Sequence, residues 1–409
     1  MRPSHLLGAR HSSGAHDRDA PREWRAPSRR AVLAGALAAP FVQPARAADL
    51  DVAVVGAGIA GFAAAQTLIG ARQSVVVLEA RERTGGRIYT DTTPGIAFDH
   101  GAPTRPLPVG MSLMIDGKEI SHADYQRFAK QAEEIGRLLH ALRKEAPGID
   151  PSAVLKPSDP LEKLALAEAL RRVPFAPLAR LPVTDGKLPV RLNTRVIRID
   201  STGPLVKLVT PLGDVLARAA IVTVPVGVLA AGGMGFAPPL RGERLAAIAS
   251  LPMAQADKVC VTFSRRVLDA PDDTRILAWT PKQTVVEALL RPGGREAAIL
   301  FYRGEEARQL EAGGASAAVS GAVTALAELF GKEVRSAFLR AASTRWGLDP
   351  FARGAWAEGL LLPRLALAAP HHERVLFAGE ATDPAGGVAG ANASGHRAAK
   401  EALAFLAKR

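Results

Sequence analysis

The run Val52-Ala-Val-Val-Gly56-Ala-Gly58-Ile-Ala60-Gly61, followed by Val75-Val-Val-Leu-Glu79, constrains this chain more than any other feature. It predicts a buried strand, a glycine turn, a helix over Phe62–Leu68, a second strand and an acid at that strand's end. This is one nucleotide-binding βαβ unit. Gly56 permits the tight turn, and Gly58 lets backbone approach a pyrophosphate. Gly61 lets the helix pack closely on the sheet, and Ala60 beside it is counted among the cofactor-binding residues. A pyrophosphate would sit on the helix N-terminus, where free N–H groups and the dipole favour anions. Glu79 can accept both hydroxyls of an adenosine ribose. The alternative is a strand–helix turn with no ligand.

The continuation narrows the reading. Glu79-Ala-Arg81-Glu-Arg-Thr-Gly85-Gly86-Arg87 resembles the FAD-binding signature of the flavin-containing amine oxidases, the family of monoamine, polyamine and L-amino acid oxidases. The resemblance implies FAD rather than a nicotinamide cofactor. Gly85 and Gly86 let the chain pass under a flavin, and Arg87 can neutralise phosphate oxygens; otherwise Arg87 is a solvated loop arginine. The other end of the chain carries the same resemblance. Arg374-Val-Leu-Phe-Ala-Gly379-Glu380-Ala-Thr382 is similar to the family's final strand and flavin-contacting turn, and a helix beginning at Ser394 follows it. By resemblance, Glu380 bonds the ribityl or pyrophosphate region, Gly387 and Val388 lie near the isoalloxazine, and Val196 meets adenine through its backbone. A helix N-terminus there would stabilise negative charge on the flavin.

Candidate chemistry follows the cofactor motifs. Lys258 precedes an alternating strand (Val259, Val261, Phe263) and falls on its opposite face. In the resembling enzymes this lysine holds a water near the flavin and assists reoxidation by oxygen, where a positive charge stabilises developing negative charge. The alternative is an exposed strand lysine. Trp346 and Trp356 lie in Thr344–Trp356, which resembles the family's active-site segment. Trp346 would approach the flavin and Trp356 would form one aromatic wall for an amine; otherwise both are core residues. The second aromatic wall is missing from Pro384–Gly390, and the stretch between Ala102 and Leu188 is short for the family. Amino acid substrates would call for a carboxylate-binding arginine, with Arg105 and Arg303 as candidates.

The single cysteine, Cys260, excludes an intrachain disulfide and leaves no cysteine for covalent flavin attachment in the C-terminal third. FAD is therefore expected to be non-covalent, and Cys260 to fill a strand core. No Cys/His spacing suggests a metal, and His371-His372 reads as a solvated loop pair. The net charge of +12 includes +5 from residues 1–47 and no long Lys/Arg run, which argues against nucleic acid. Abundant Ala, Arg, Gly and Pro fit a high-GC bacterial genome.

Ser28-Arg29-Arg30-Ala-Val-Leu, an apolar run to Val42 and Ala45-Arg46-Ala47 match a twin-arginine signal peptide cleaved after Ala47. The run is too short to span a bilayer, so no stable membrane insertion is expected. The partner is the twin-arginine export machinery and the destination is periplasmic or secreted; the alternative is an uncleaved basic arm.

The expected fold is α/β: a Rossmann-like FAD-binding domain of the glutathione-reductase type (48–105, 187–249 and 346–409). Interleaved with it is a mixed-sheet and helical substrate domain (106–186 and 250–345), with helices over Asp124–Glu145, Pro160–Val173 and Ala315–Phe330. The resemblance implies an oxidoreductase that converts a small-molecule amine to an imine by hydride transfer to the flavin, with oxygen as acceptor. Aldehyde, ammonia and hydrogen peroxide would be the products. The alternatives are a flavin desaturase of the carotenoid or porphyrinogen type and a degenerate, non-catalytic FAD-binding protein.

Overall fold

Four β-branched or small residues, Val52–Val55, sit at the centre of a parallel sheet because both of its faces are covered. The computed structural model describes residues 50–103, 111–145, 154–171, 188–282 and 284–408. The proposed leader, Arg105, the first half of the Pro147–Pro160 connector and Pro182–Lys187 lie outside them. The parallel sheet runs in the order Val375–Phe377, Ala219–Val222, Val52–Val55, Val75–Leu78, Val190–Arg191. One face packs against the helices Ile59–Gly70 and Gly387–Ala407, through Ala64, Leu68, Ala398 and Phe405. The other packs against a four-stranded sheet that contains the hairpin Val206–Val209 with Val215–Ala217.

The two helices approach so closely that a Cβ at Gly395 would meet the Ala60 carbonyl and the Ala63 methyl. Likewise a Cβ at Gly61 would strike the Gly56 carbonyl. Small residues are therefore required at the crossing, because interiors have no spare volume. The C-terminal helix starts at Gly387, seven residues before the expected Ser394. Gly386, at φ 58°, supplies the turn that redirects the chain into it.

A second, seven-stranded sheet has the order Phe338–Ser343, Ala256–Phe263, Ala297–Arg303, Val285–Leu290, Thr274–Trp279, Ser112–Ile115, Lys118–Glu119. It is antiparallel except where Ser112–Ile115 runs parallel to Thr274–Trp279. One face carries the Gly304–Phe330 helix through Ala318, Ala322 and Leu326. That helix is long and apolar enough to cross a bilayer by composition, but these buried residues lie on the sheet. It begins well before the expected Ala315, with Gly314 at φ 80° marking a break just ahead of it. The other face holds Phe98, Cys260, Leu289 and Ile299, and further along the helices His122–Glu145 and Pro160–Arg171. Cys260 is fully buried, and desolvation pushes its thiol up to about 12.

His371 differs from expectation. It is buried, its Nε2 lies 3.0 Å from the Pro238 carbonyl, and its ring meets Phe236 edge-on. Adjacent polar residues gave no sign that one faces inward; His372 is exposed.

Candidate active site

The parallel strands end at a cavity of about 570 Å³. It extends from the glycine turn, Gly56 and Gly58, to Lys258 and Trp346 on the seven-stranded sheet's side. At the first end the Ile59–Gly70 helix has no side-chain cap on its N-terminal N–H groups. A Cβ built at Gly58 would meet nothing within 4 Å. Glu79 is buried; its Oε2 accepts the Ala57 N–H at 2.8 Å and its Oε1 the Arg81 N–H at 2.9 Å. These bonds fix the carboxylate at the strand end, and the remaining lone pairs serve hydroxyl donors.

Every residue expected to bind the cofactor lines this cavity except Gly61: Ala60, Arg81, Gly85, Gly86, Arg87, Val196, Gly379, Glu380 and Val388 all do. Gly61 lies behind the wall, where it sets helix–turn packing. The arginines are engaged within the protein. Arg81 Nη2 bonds both oxygens of Asp349 at 2.7 Å. Arg87 Nη1 donates to the Ala355 carbonyl at 2.9 Å and to Glu380 Oε1 at 3.0 Å, rather than standing free for a phosphate. Glu380 Oε1 also accepts the Ala357 N–H at 2.9 Å. Its Oε2 is buried with no hydrogen-bond partner among the described residues, the Arg364 guanidinium standing 3.7 Å away. A buried carboxylate oxygen in that state calls for a donor from a ligand.

Sequence reasoning missed two further arginines on the wall. Arg195 adjoins Val196 and shares the Phe351 ring with Arg81. Arg364 donates to the carbonyls of Glu380 and Ala357, both at 2.7 Å. Arg195 could have been found from its place beside Val196. Arg364 lies in an apolar helix with no signal around it.

Lys258 sits inside the Ala256–Phe263 strand rather than ahead of it, on the face opposite Val259 and Val261. Its Nζ donates to the carbonyls of Asp99 at 2.8 Å and Gly101 at 2.5 Å. Burial lowers its pKa to about 8. Two of the three ammonium donors are thus tied to the turn beneath the cavity, and one is left for a ligand or water. The Phe301 ring centroid is 5.7 Å from Nζ.

Trp346 is buried at the same end, its indole N–H donating to the His100 carbonyl at 3.1 Å. Trp356 lines the cavity too. The stretch Pro384–Val388 contributes only small residues to the lining, as its sequence dictates. The additional aromatic surface comes instead from Phe301, Tyr302 and Phe351. Phe351 belongs to the same segment as Trp356, whereas no spacing in the sequence connects Phe301 and Tyr302 to it, because strand pairing with Lys258 and Asp257 brings them there. Arg303 lines the cavity with its guanidinium 3.3 Å from Glu287, which also pairs with Arg275 at 3.5 Å.

Donors for a diphosphate, acceptors for ribose hydroxyls and an orphaned carboxylate oxygen fit a flavin dinucleotide along this cavity.

Comparisons with known proteins agree. The family model for flavin containing amine oxidoreductases matches residues 151–403, and that for NAD(P)-binding Rossmann-like domains matches 54–108. Polyamine oxidase 4 of Oryza sativa subsp. japonica is 26% identical over 90% of this chain and 91% of its own length. Putrescine oxidase of Kocuria rosea is 41% identical over 20% of this chain and 17% of its own length. A triple mutant of putrescine oxidase, solved in a redesign of its cofactor binding, superposes with a TM-score of 0.65 at 18% identity. It covers 88% of this chain and 99% of that one.

Proposed function

Because the chain belongs to the flavin-containing amine oxidoreductase family, we propose that it binds FAD non-covalently and oxidises a small-molecule amine to an imine with oxygen as the final acceptor. The observation that carries this reading is the cavity that joins the nucleotide turn to Lys258, Trp346 and Trp356. When bound, FAD supplies the two-electron oxidant that takes a hydride equivalent from the amine α-carbon and returns the electrons to oxygen.

The protein's own residues do the rest. The uncapped turn at Gly58 receives the diphosphate, Glu79 the adenosine ribose, and Glu380 Oε2 a hydroxyl donor. Trp346, Trp356, Phe301 and Tyr302 give the amine an apolar, water-poor seat whose ring faces tolerate partial positive charge. Lys258 keeps a cation beside the reacting region, where negative charge develops on oxygen. The amine enters as the free base, so the chemistry asks for no side-chain base.

Two assignments are inferred from sequence. Segments 48–105, 187–249 and 346–409 carry cofactor binding, and 106–186 and 250–345 carry substrate recognition. Residues 1–47 direct export by the twin-arginine route to the periplasm or beyond, supported by the Arg29-Arg30 pair and the Ala45-Arg46-Ala47 cleavage pattern.

The test is hydrogen peroxide release from the FAD-loaded protein across a panel of primary, secondary and diamine substrates. Peroxide produced one-for-one with aldehyde supports the proposal. A flavin-bearing protein that yields none with any amine contradicts it.

A further inference from the structure

Beneath the Trp346 end of the cavity lie two buried carboxyl groups that the reaction above does not use. We propose that Asp257 and Glu311 share one proton and, as a protonated pair, clamp the turn Thr344–Leu348 so that Trp346 is held against the cofactor cavity. The proposal takes from the preceding section only that this cavity holds FAD.

Asp257 comes from the Ala256–Phe263 strand, second from the edge of the seven-stranded sheet, and Glu311 from the Gly304–Phe330 helix; they are 2% and 5% exposed. Asp257 Oδ1 accepts the Thr344 hydroxyl at 2.7 Å and the Trp346 N–H at 3.0 Å. Glu311 Oε1 accepts the next N–H, that of Gly347, at 2.6 Å, and lies 3.4 Å from the Leu348 nitrogen. Adjacent amides of one turn are thus divided between two acids, which sets the two carboxyl groups side by side. Gly347 is required there, because a Cβ would meet the side-chain oxygens of Glu311 and Gln255.

Two ionised carboxylates in such a place repel, and neither has a hydrogen to offer the other. Asp257 Oδ2 is buried and has no donor among the described residues. A single proton on Glu311 supplies that donor and removes the repulsion. Among the described residues no cation does the same work. Lys258, next in the chain, points to the other face and is held by the Asp99 and Gly101 carbonyls. Arg303 pairs with Glu287 on that same other face. Tyr302, directly across the strand pair from Asp257, is kept neutral by burial, which raises its pKa. Glu305, Arg308 and Arg345, on the same helix and turn, are exposed. Glu306, whose carboxyl burial and Glu287 push up to about 7, lies beside Glu287 and Tyr302, and the Glu311→Gln and Asp257→Asn variants separate its titration from the pair's.

Burial first, and Asp257 second, push the Glu311 carboxyl up to about 7 from its ordinary 4.5. A carboxyl whose folded pKa is raised contributes stability that is complete below its unfolded pKa and is lost as pH rises through the folded one. The clamp is therefore closed in acid and releases near pH 7, where the charged pair pushes the turn and the Trp346 indole away.

The experiment follows tryptophan emission and the visible circular dichroism of bound flavin in the FAD-loaded protein, without amine, from about pH 5 to about pH 9. A Trp346→Phe variant identifies the Trp346 contribution. The expected result is one transition near pH 7 in the native protein. It should be absent in Glu311→Gln, whose amide donates permanently to Asp257 Oδ2, and in Asp257→Asn, which donates to Glu311. A flat native titration, or a variant that keeps the transition, overturns the proposal. If the protein takes up no FAD, the function proposed above fails instead, and Trp346 emission and thermal melting of the apoprotein still read the clamp.

Discussion

Arg87 and Glu380, 293 residues apart, meet at 3.0 Å on the cavity wall. The contact ties the turn after the second parallel strand to the turn after the last one. It closes the cavity from both ends of the chain, while Glu380 Oε2 has no hydrogen bond among the described residues and only the Arg364 guanidinium 3.7 Å away. Glu380→Ala removes both the tie and the acceptor. Breaking a buried ion pair by deleting one partner costs about 3–5 kcal/mol, and the lower end applies because Arg87 retains 22% exposure. The expected outcome is a lower melting temperature together with FAD binding weakened by about tenfold or more. Differential scanning fluorimetry and a flavin titration measure the two.

Lys258→Met removes the cation at the other end. Reoxidation of the reduced protein by oxygen, followed by stopped flow, should slow by about 10- to 100-fold, with FAD still bound. In the native protein that rate should fall as pH rises through about 8, where Nζ loses its proton. Stability moves the opposite way. Between about 8 and the ordinary 10.5, the unfolded chain holds a proton that the folded one has released, so this group makes stability rise with pH.

Two glycines in one turn should separate packing from ligand contact. Gly61→Ala drives a methyl into the Gly56 carbonyl and should cost about 1–3 kcal/mol in the apoprotein. Gly58→Ala places its methyl in open space, so apoprotein stability should stay within about 0.5 kcal/mol while FAD affinity drops. Thermal melts with and without FAD distinguish them.

The cofactor half of the site is legible in the sequence because its contacts are local. The turn at Gly56–Gly61, Glu79 at a strand end and the Gly379-Glu380 turn each act where the chain itself places them. The substrate half is less so. Lys258 stands out as a charge in an alternating strand. Its two carbonyl partners come from a turn more than a hundred residues earlier. Phe301 and Tyr302 reach the cavity only through strand pairing with Lys258 and Asp257, a register that no single segment encodes. Glu311 lies in an Ala- and Gly-rich helix and reads as a surface acid until the sheet buries it. Arg87 shows the limit of motif reading. Its position is as expected, but its guanidinium bonds Glu380 and a carbonyl.

The most direct test of the account is an anaerobic one. Purified protein loaded with FAD is mixed with amines in the absence of oxygen, and the flavin's visible absorbance is followed. The account predicts bleaching by at least one amine, none by the matching alcohol, and recovery of the absorbance when oxygen is admitted. A protein that binds FAD in this cavity yet keeps its full absorbance with every amine would contradict amine oxidation as its function.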